Sequence, residues 1–320
     1  MMVLRAWKAL VTLLDTREAA TCLALFRIAM ALTVFTTLFE MWMRDVHLMT
    51  WVDMGLSGYR PIRPRAGLIH WMGGATPDVV GRVIVGTMFF ALASAAGIGG
   101  RVTNFITLQL LIALVTLNTH AGGSYDELMT NALWLLVLAP STKTLSVDCY
   151  LQTGQWTSDA KVPAWVRYLA VFQILTCYWT TGLQKLSVYW TPGGDFSALY
   201  YIFQQPSWQR FDMEWVAYVY PLSQFATAMT WFWEVLIPLW VLAYYFRYTA
   251  DSPGRVRAWF NRVDVRSWFV VIGLVFHLSV TAFMNVGPFS FASMAYFACF
   301  FTPDEVHSAW ARVRARVVPA

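Results

Sequence analysis

The chain alternates long apolar runs with short polar breaks. The runs fall near residues 20–42, 80–98, 102–120, 127–145, 164–188, 222–246, 267–285 and 288–302. A helical span needs about 20 mainly apolar residues, so each run predicts a membrane helix. The last is short, and predicts a tilted span or a helix buried in the bundle. Gly287-Pro288 makes the turn before it, with proline acceptable at the first helical position. Ahead of the first run, Val3, Leu4, Trp7, Leu10, Val11 and Leu14 share one helical face, with Arg5 and Lys8 off it. That pattern predicts a short amphipathic helix on the cytoplasmic surface. After the last run, Thr302, Pro303 and Glu305 read as a helix start: a capping hydroxyl, a first-turn proline and a carboxylate three places on. A short basic cytoplasmic helix should follow. The predicted fold class is all-α, a polytopic integral membrane helix bundle of about eight transmembrane helices with no large extramembrane domain. Residues 1–19 make the amphipathic segment, 20–302 the transmembrane domain and 303–320 the basic tail. No internal repeat or low-complexity linker divides the domain.

Composition agrees with a membrane protein. Of 320 residues, 58% are hydrophobic and 13% charged, against roughly 25% charged in soluble domains. The mean hydropathy is +0.50. The 17 tryptophans and 14 tyrosines favour membrane–water interfaces. The net charge of +5 therefore reports orientation, not nucleic-acid binding. With the N-terminus inside, 15 Lys and Arg fall in cytoplasmic segments and 7 outside, the outer set being Arg44, Arg60, Arg63, Arg65, Arg82, Lys185 and Arg210. This predicts both termini in the cytoplasm, an even number of spans and a plasma (inner) membrane location. No cleavable signal peptide is apparent, because Lys8 interrupts the first apolar run. Cys22, Cys149, Cys177 and Cys299 are scattered, so neither a disulfide framework nor a metal site is expected.

Ionisable groups in hydrocarbon are costly, by about 2.5–3.5 kcal/mol on insertion scales. The candidates are Arg27, Lys185, Glu234 and His277, with Asp126 and Glu127 at a helix mouth. Lys185 has two readings: a snorkelling anchor or a base. Tyr178 and Lys185 are seven residues apart, which on one helix puts them on a shared face, with Thr181 and Gly182 between them. Small residues there let another helix approach. An amine screened from water can act as a base near neutral pH. Glu234 precedes Pro238 by four residues, so the proline should kink the helix at a buried carboxylate. A structural pair with Arg27 or His277 is the alternative to catalysis there. A hydrogen-bonded core histidine is the default for His277. The outer loops, 43–79 and 189–221, differ in character. The second is crowded with aromatics, among them Trp190, Tyr200 and Tyr201, and reads as an aromatic belt or a lid over a flat apolar ligand. Gly55-Leu56-Ser57-Gly58 matches the serine motif of intramembrane proteases, but it lies in a loop and the protease reading is set aside.

Tyr178, Gly182, Lys185, Trp190 and Gly193 together resemble the Y-x3-G-x2-K-x4-W-x2-G segment of the vitamin K-dependent gamma-glutamyl carboxylases and their bacterial relatives, the HTTM (horizontally transferred transmembrane) family. Gln173 also fits. Arg27 in LALFRIAMAL, Leu145-Ser146-Val147-Asp148, and His277 with Gly287, Phe289 and Ser290 resemble further family segments in order and spacing. The resemblance implies a membrane enzyme in which Lys185 deprotonates a reduced, vitamin K-type quinone at the extracytoplasmic side. Oxygenation of the quinol would then drive modification of an acceptor, gamma-carboxylation being one form. It places Tyr178, His277, Arg27 and Tyr125 in support and Trp190 and Gln173 against the substrate; the reading of the residues adds Glu234, Asp126 and Glu127 to the supporting set and Tyr200 and Tyr201 to the substrate side. Tyr125 stands where the carboxylases have a histidine, which sets this chain apart from them. The expected partners are lipid, a secreted peptide or protein substrate and a small partner subunit. Two rivals remain: a maturation factor for a secreted, sporulation-delaying-type peptide toxin, and a non-enzymatic scaffold or transporter.

Overall fold

The computed structural model describes residues 2–62 and 67–317. Arg63 and Arg65 of the charge count lie outside the described residues, as do the side chains of Val3 and Arg5 in the first helix and residues 318–320 of the tail. The main helices are α1 (Met2–Asp15), α2 (Thr21–Met43), α3 (Pro77–Ala96), α4 (Gly100–Val115), α5 (Ser124–Leu138) and α6 (Val147–Thr153). They continue as α7 (Trp165–Leu183), α8 (Tyr220–Val235), α9 (Ile237–Tyr248), α10 (Arg255–Val263), α11 (Val265–Phe283), α12 (Phe289–Phe297) and α13 (Pro303–Val317).

Each of the eight predicted runs is helical, with shifted bounds. The run at 127–145 stops at Leu138, and the run at 164–188 stops at Leu183. The run at 222–246 is broken into α8 and α9, whose axes meet at 54°. Among the described residues, three helices are long and apolar enough to cross a membrane: α2, α3 and α11. The bent pair, counted from Glu214, makes a fourth if taken as one span. The others are shorter or less apolar than a full span requires. At the C-terminal end, the anticipated capping box forms. Thr302 N donates to Glu305 Oε2 at 2.8 Å and Glu305 N to Thr302 Oγ1 at 3.3 Å.

Residues 1–170 and 291–320 make one compact unit and 171–290 another. In the first, α2, α3, α4 and α5 pack in chain order. Their outer surface is apolar (Phe89, Val102 and Phe105 are exposed), while Thr87, Asn104 and Thr107 are buried. Ser94 Oγ donates to Asn104 Oδ1 at 2.5 Å, and Asn104 Nδ2 to the Leu136 carbonyl at 3.3 Å. Polar groups inward and apolar groups outward is the arrangement a lipid solvent favours.

Arg27 is fully buried in this unit. It donates to the carbonyl oxygens of Ser141 and Leu145, both at 2.6 Å. The Leu145–Asp148 segment is built around that contact. Leu145 takes a left-handed backbone, Ser146 Oγ caps α6 at Cys149 N, and Asp148 accepts from Gly99 N at 3.0 Å. Arg27 thus ties α2 to the α5–α6 connection.

Several short elements escaped the sequence reading, the helices α6 and α10 and a small sheet among them. Arg17–Ala19 (β1) and Lys161–Pro163 (β2) pair antiparallel, with Glu18 opposite Val162. Three-residue strands carry no measurable alternation, so nothing in the pattern marks them. The Gly55–Gly58 loop winds around Asp53, whose carbonyl oxygen accepts from Leu56, Ser57 and Gly58. A Cβ on Gly58 would lie 1.8 Å from the Val52 carbonyl oxygen, so the glycine serves this turn.

Candidate functional site

In the second unit, α7 ends in Thr180-Thr181-Gly182-Leu183. Both threonine hydroxyls bond back to the Cys177 carbonyl, and glycine is a weak helix former, so the helix stops here. Lys185 therefore lies two residues past the helix end, in a turn closed by Lys185 N to Gly182 O at 3.3 Å. The expected shared helical face of Tyr178 and Lys185 does not exist. What brings lysine to its place is the turn.

Lys185 Nζ donates to Glu234 Oε2. It also sits over the indole of Trp190, 4.9 Å from the ring centroid. The Lys185 side chain is 18% exposed and that of Glu234 4%. The partner anticipated for Glu234 was Arg27 or His277. Both are otherwise engaged, Arg27 with backbone carbonyls and His277 with Tyr178. The ion pair with Lys185 replaces those expectations.

Three local features set this geometry. First, Glu234 lies in the last turn of α8, just before the break. Pro238, the second residue of α9, cannot continue the ladder, and the predicted kink is there. Trp240 Nε1 donates across the break to the Trp233 carbonyl at 3.1 Å. Second, Gly182 meets Glu234 directly. A Cβ on Gly182 would lie 2.7 Å from Glu234 Cβ and 3.1 Å from its carbonyl carbon. This is the close approach that the small residues predicted. Third, Trp190 closes a 3₁₀ turn, Val188–Trp190, and a second turn follows at Pro192–Gly194. A Cβ on Gly194 would fall 2.6 Å from the Val188 carbonyl. Asp195 and Phe196 then adopt left-handed backbones. The Pro-Gly-Gly run was the available signal for this fold-back.

Gly182→Ala tests the close approach. We expect α8 to be pushed away at Glu234, with a loss of about 1–3 kcal/mol, as for other overpacked sites. Thermal unfolding of the purified protein reads it. An unchanged melting temperature would contradict the contact.

A second polar pair lies on the same helix. Tyr178 Oη and His277 Nε2 are 2.5 Å apart, and both residues are buried. Tyr178 packs on Trp233 at 4.5 Å between centroids, and Trp233 stacks on Phe269 at 4.7 Å. His277 is thus a hydrogen-bonded core histidine, as the default reading had it. Trp233 adjoins Glu234 in sequence, so it connects the two pairs. Its role was missed, because a tryptophan in an aromatic-rich run carries no special mark.

Tyr201 reaches the site's edge through Tyr189, with centroids 4.9 Å apart. Tyr200, Tyr201, Ala217 and Tyr220 line a shallow cavity of about 280 Å³. Gln173 is half-buried on α7, and no hydrogen bond joins it to the Lys185 group among the described residues. Arg27, Tyr125, Asp126 and Glu127 belong to the first unit. Asp126 Oδ2 accepts from Gly123 N at 3.0 Å and so caps α5; Tyr125 is half-buried and Glu127 exposed. Of the predicted site residues, the structure therefore brings together Lys185, Glu234 and Trp190, with Tyr178 and His277 behind them. An amine, a carboxylate and an indole face in one partly screened place can exchange a proton and stack a flat ring. No protein-family model, curated protein or solved structure matches the chain.

Proposed function

We propose that the chain is a carboxylase-like membrane enzyme whose Lys185 takes a proton from a reduced quinone. The observation that carries this reading is the placement of the Lys185 amine between the Glu234 carboxylate and the Trp190 ring. A quinol hydroxyl has a phenol-like pKa of about 10, so a neutral amine can remove its proton. Glu234 is the nearby group able to hold the lysine's own proton, which frees the amine to act. Trp190, with Tyr200 and Tyr201 on the short helix Ala198–Phe203 that follows, suits a flat apolar ring. A quinol dissolved in the bilayer has direct access to a site built among apolar helices. Oxygenation of the deprotonated quinol and modification of an acceptor complete the proposal, with a secreted peptide or protein as the acceptor class.

The same contact favours a second reading, in which Lys185–Glu234 is a structural staple across the helix break. Purified protein in lipid, supplied with a vitamin K-type hydroquinone and oxygen, separates the two. The enzymatic reading expects quinol consumption with epoxide formation above a protein-free control. A pure staple expects none.

The proposal includes eight spans in the plasma membrane with both termini in the cytoplasm. The shorter helices would then complete their span through flanking turns, or meet a locally thinned bilayer. Arg210 and Asp251 are both exposed. In intact cells, a cysteine replacing Arg210 should react with an impermeant thiol reagent, and one replacing Asp251 should not. The reverse labelling would overturn the orientation.

A further inference from the structure

Helix α10 joins α9 to α11 within the second unit, and its faces are sharply divided. One face packs on α9. Phe260 meets Phe246 at 5.2 Å, and Asn261 Nδ2 donates to the Phe246 carbonyl at 2.9 Å. Arg257 belongs to the same face. Its guanidinium lies 5.3 Å from the Phe246 ring centroid and donates to the Pro253 carbonyl at 2.9 Å. The other face is open. Val256, Trp259 and Val263 are 60%, 56% and 40% exposed. They recur at intervals of three and four residues, one stripe along the helix. At about 100° per residue, Arg255 and Arg262 fall together along one edge of that stripe, next to Trp259. Both arginines are exposed.

The ends of the flanking helices fix the environment of this face. Tyr245 and Tyr248 are exposed in the last turn of α9, and Trp268 in the first turn of α11. Exposed tyrosine and tryptophan at the ends of apolar helices mark the membrane–water boundary. A nine-residue helix bridging those two ends lies at the same level. A valine–tryptophan stripe there would meet acyl chains, and the arginine edge would meet headgroup oxygens.

We infer that α10 is an interfacial anchor for anionic phospholipid. Trp259 and its two valines enter the acyl boundary, and Arg255 and Arg262 bind headgroup phosphate. Charge decides for anionic lipid. Of the two acidic residues flanking α10, Asp264 is already engaged by Ser267 and Arg266, and Asp251 is a single exposed carboxylate against Arg255 and Arg262, so the edge stays net positive. Guanidinium groups match phosphate in a bidentate manner.

The test uses the full chain in nanodiscs of mixed phosphatidylcholine and phosphatidylglycerol, with the acyl chains of one lipid or the other brominated. The emission lost on Trp259→Phe isolates the Trp259 signal from the other tryptophans. We expect that signal to be quenched by brominated lipid, and more strongly when the bromine is on phosphatidylglycerol. Arg255→Gln and Arg262→Gln sit on the exposed face, so the fold should survive them. Together they should keep the quenching but lose the anionic preference, by about five-fold for each arginine. Three results would overturn the inference: equal quenching by the two lipids in the wild type, an anionic preference that survives in the double variant, or no quenching by either lipid. If acrylamide also fails to quench in that last case, a protein partner or second copy covers the face instead of lipid.

Discussion

Glu18→Ala is expected to destabilise the protein by about 3–5 kcal/mol, the usual cost of stranding one charge of a buried pair. Arg167 is 3% exposed. Its Nε donates to Glu18 Oε1 at 2.6 Å and its Nη2 to Glu18 Oε2 at 2.8 Å, a two-pronged fit that only arginine supplies. Nη1 donates to the Cys299 carbonyl at 3.1 Å. Three distant stretches of chain meet there: the β1 strand, the start of α7 and the turn after α12. The β1–β2 ladder runs beside them and fixes Glu18 in place. Without Glu18, the guanidinium keeps one backbone acceptor and no counter-charge. Adding Arg167→Met should recover most of the loss, because two apolar groups need no partner. Unfolding of the purified protein in detergent measures both. A single variant within about 1 kcal/mol of wild type, or a double variant no more stable than the single, would contradict the account.

That pair also shows where sequence reading stops. In the sequence Arg167 reads as one of the cytoplasmic charges, and Glu18 only as a polar residue ahead of the first long apolar run. They are 149 residues apart, and no local pattern joins them. The same holds for Lys185 and Glu234. Each was legible alone as an ionisable group among apolar residues, because hydrocarbon makes such groups expensive. Their pairing was not legible, since it depends on how α7 ends and α8 bends. Pro238 gave the bend and Gly182 the close approach, both through steric rules that act locally. The end of α7 was misjudged by a few residues. Leu183, Leu186 and Val188 carry apolar positions past the helix end, whereas the helix yields at the threonines and glycine. The helices themselves were readable because apolar runs separated by polar breaks persist over many residues. Span length was less so: several runs that looked sufficient contain turns.

Lys185→Arg should lower quinol turnover by about 10²- to 10⁴-fold, the range for loss of a general base. Arginine can still reach Glu234, still stack on Trp190 and still anchor at a headgroup. It stays protonated at neutral pH and cannot accept a proton. The substitution therefore keeps the charge and the contacts and removes the one property the mechanism needs. Lys185→Ala is less informative, because it also leaves the Glu234 carboxylate without its partner and confuses stability with chemistry. The decisive measurement is quinol consumption with epoxide formation, in lipid and with oxygen, by wild type and Lys185→Arg matched for expression and melting temperature. The account predicts product from the wild type and nearly none from the arginine variant. Equal turnover by both would mean that Lys185 contributes its charge and not its proton, and the base assignment would be wrong.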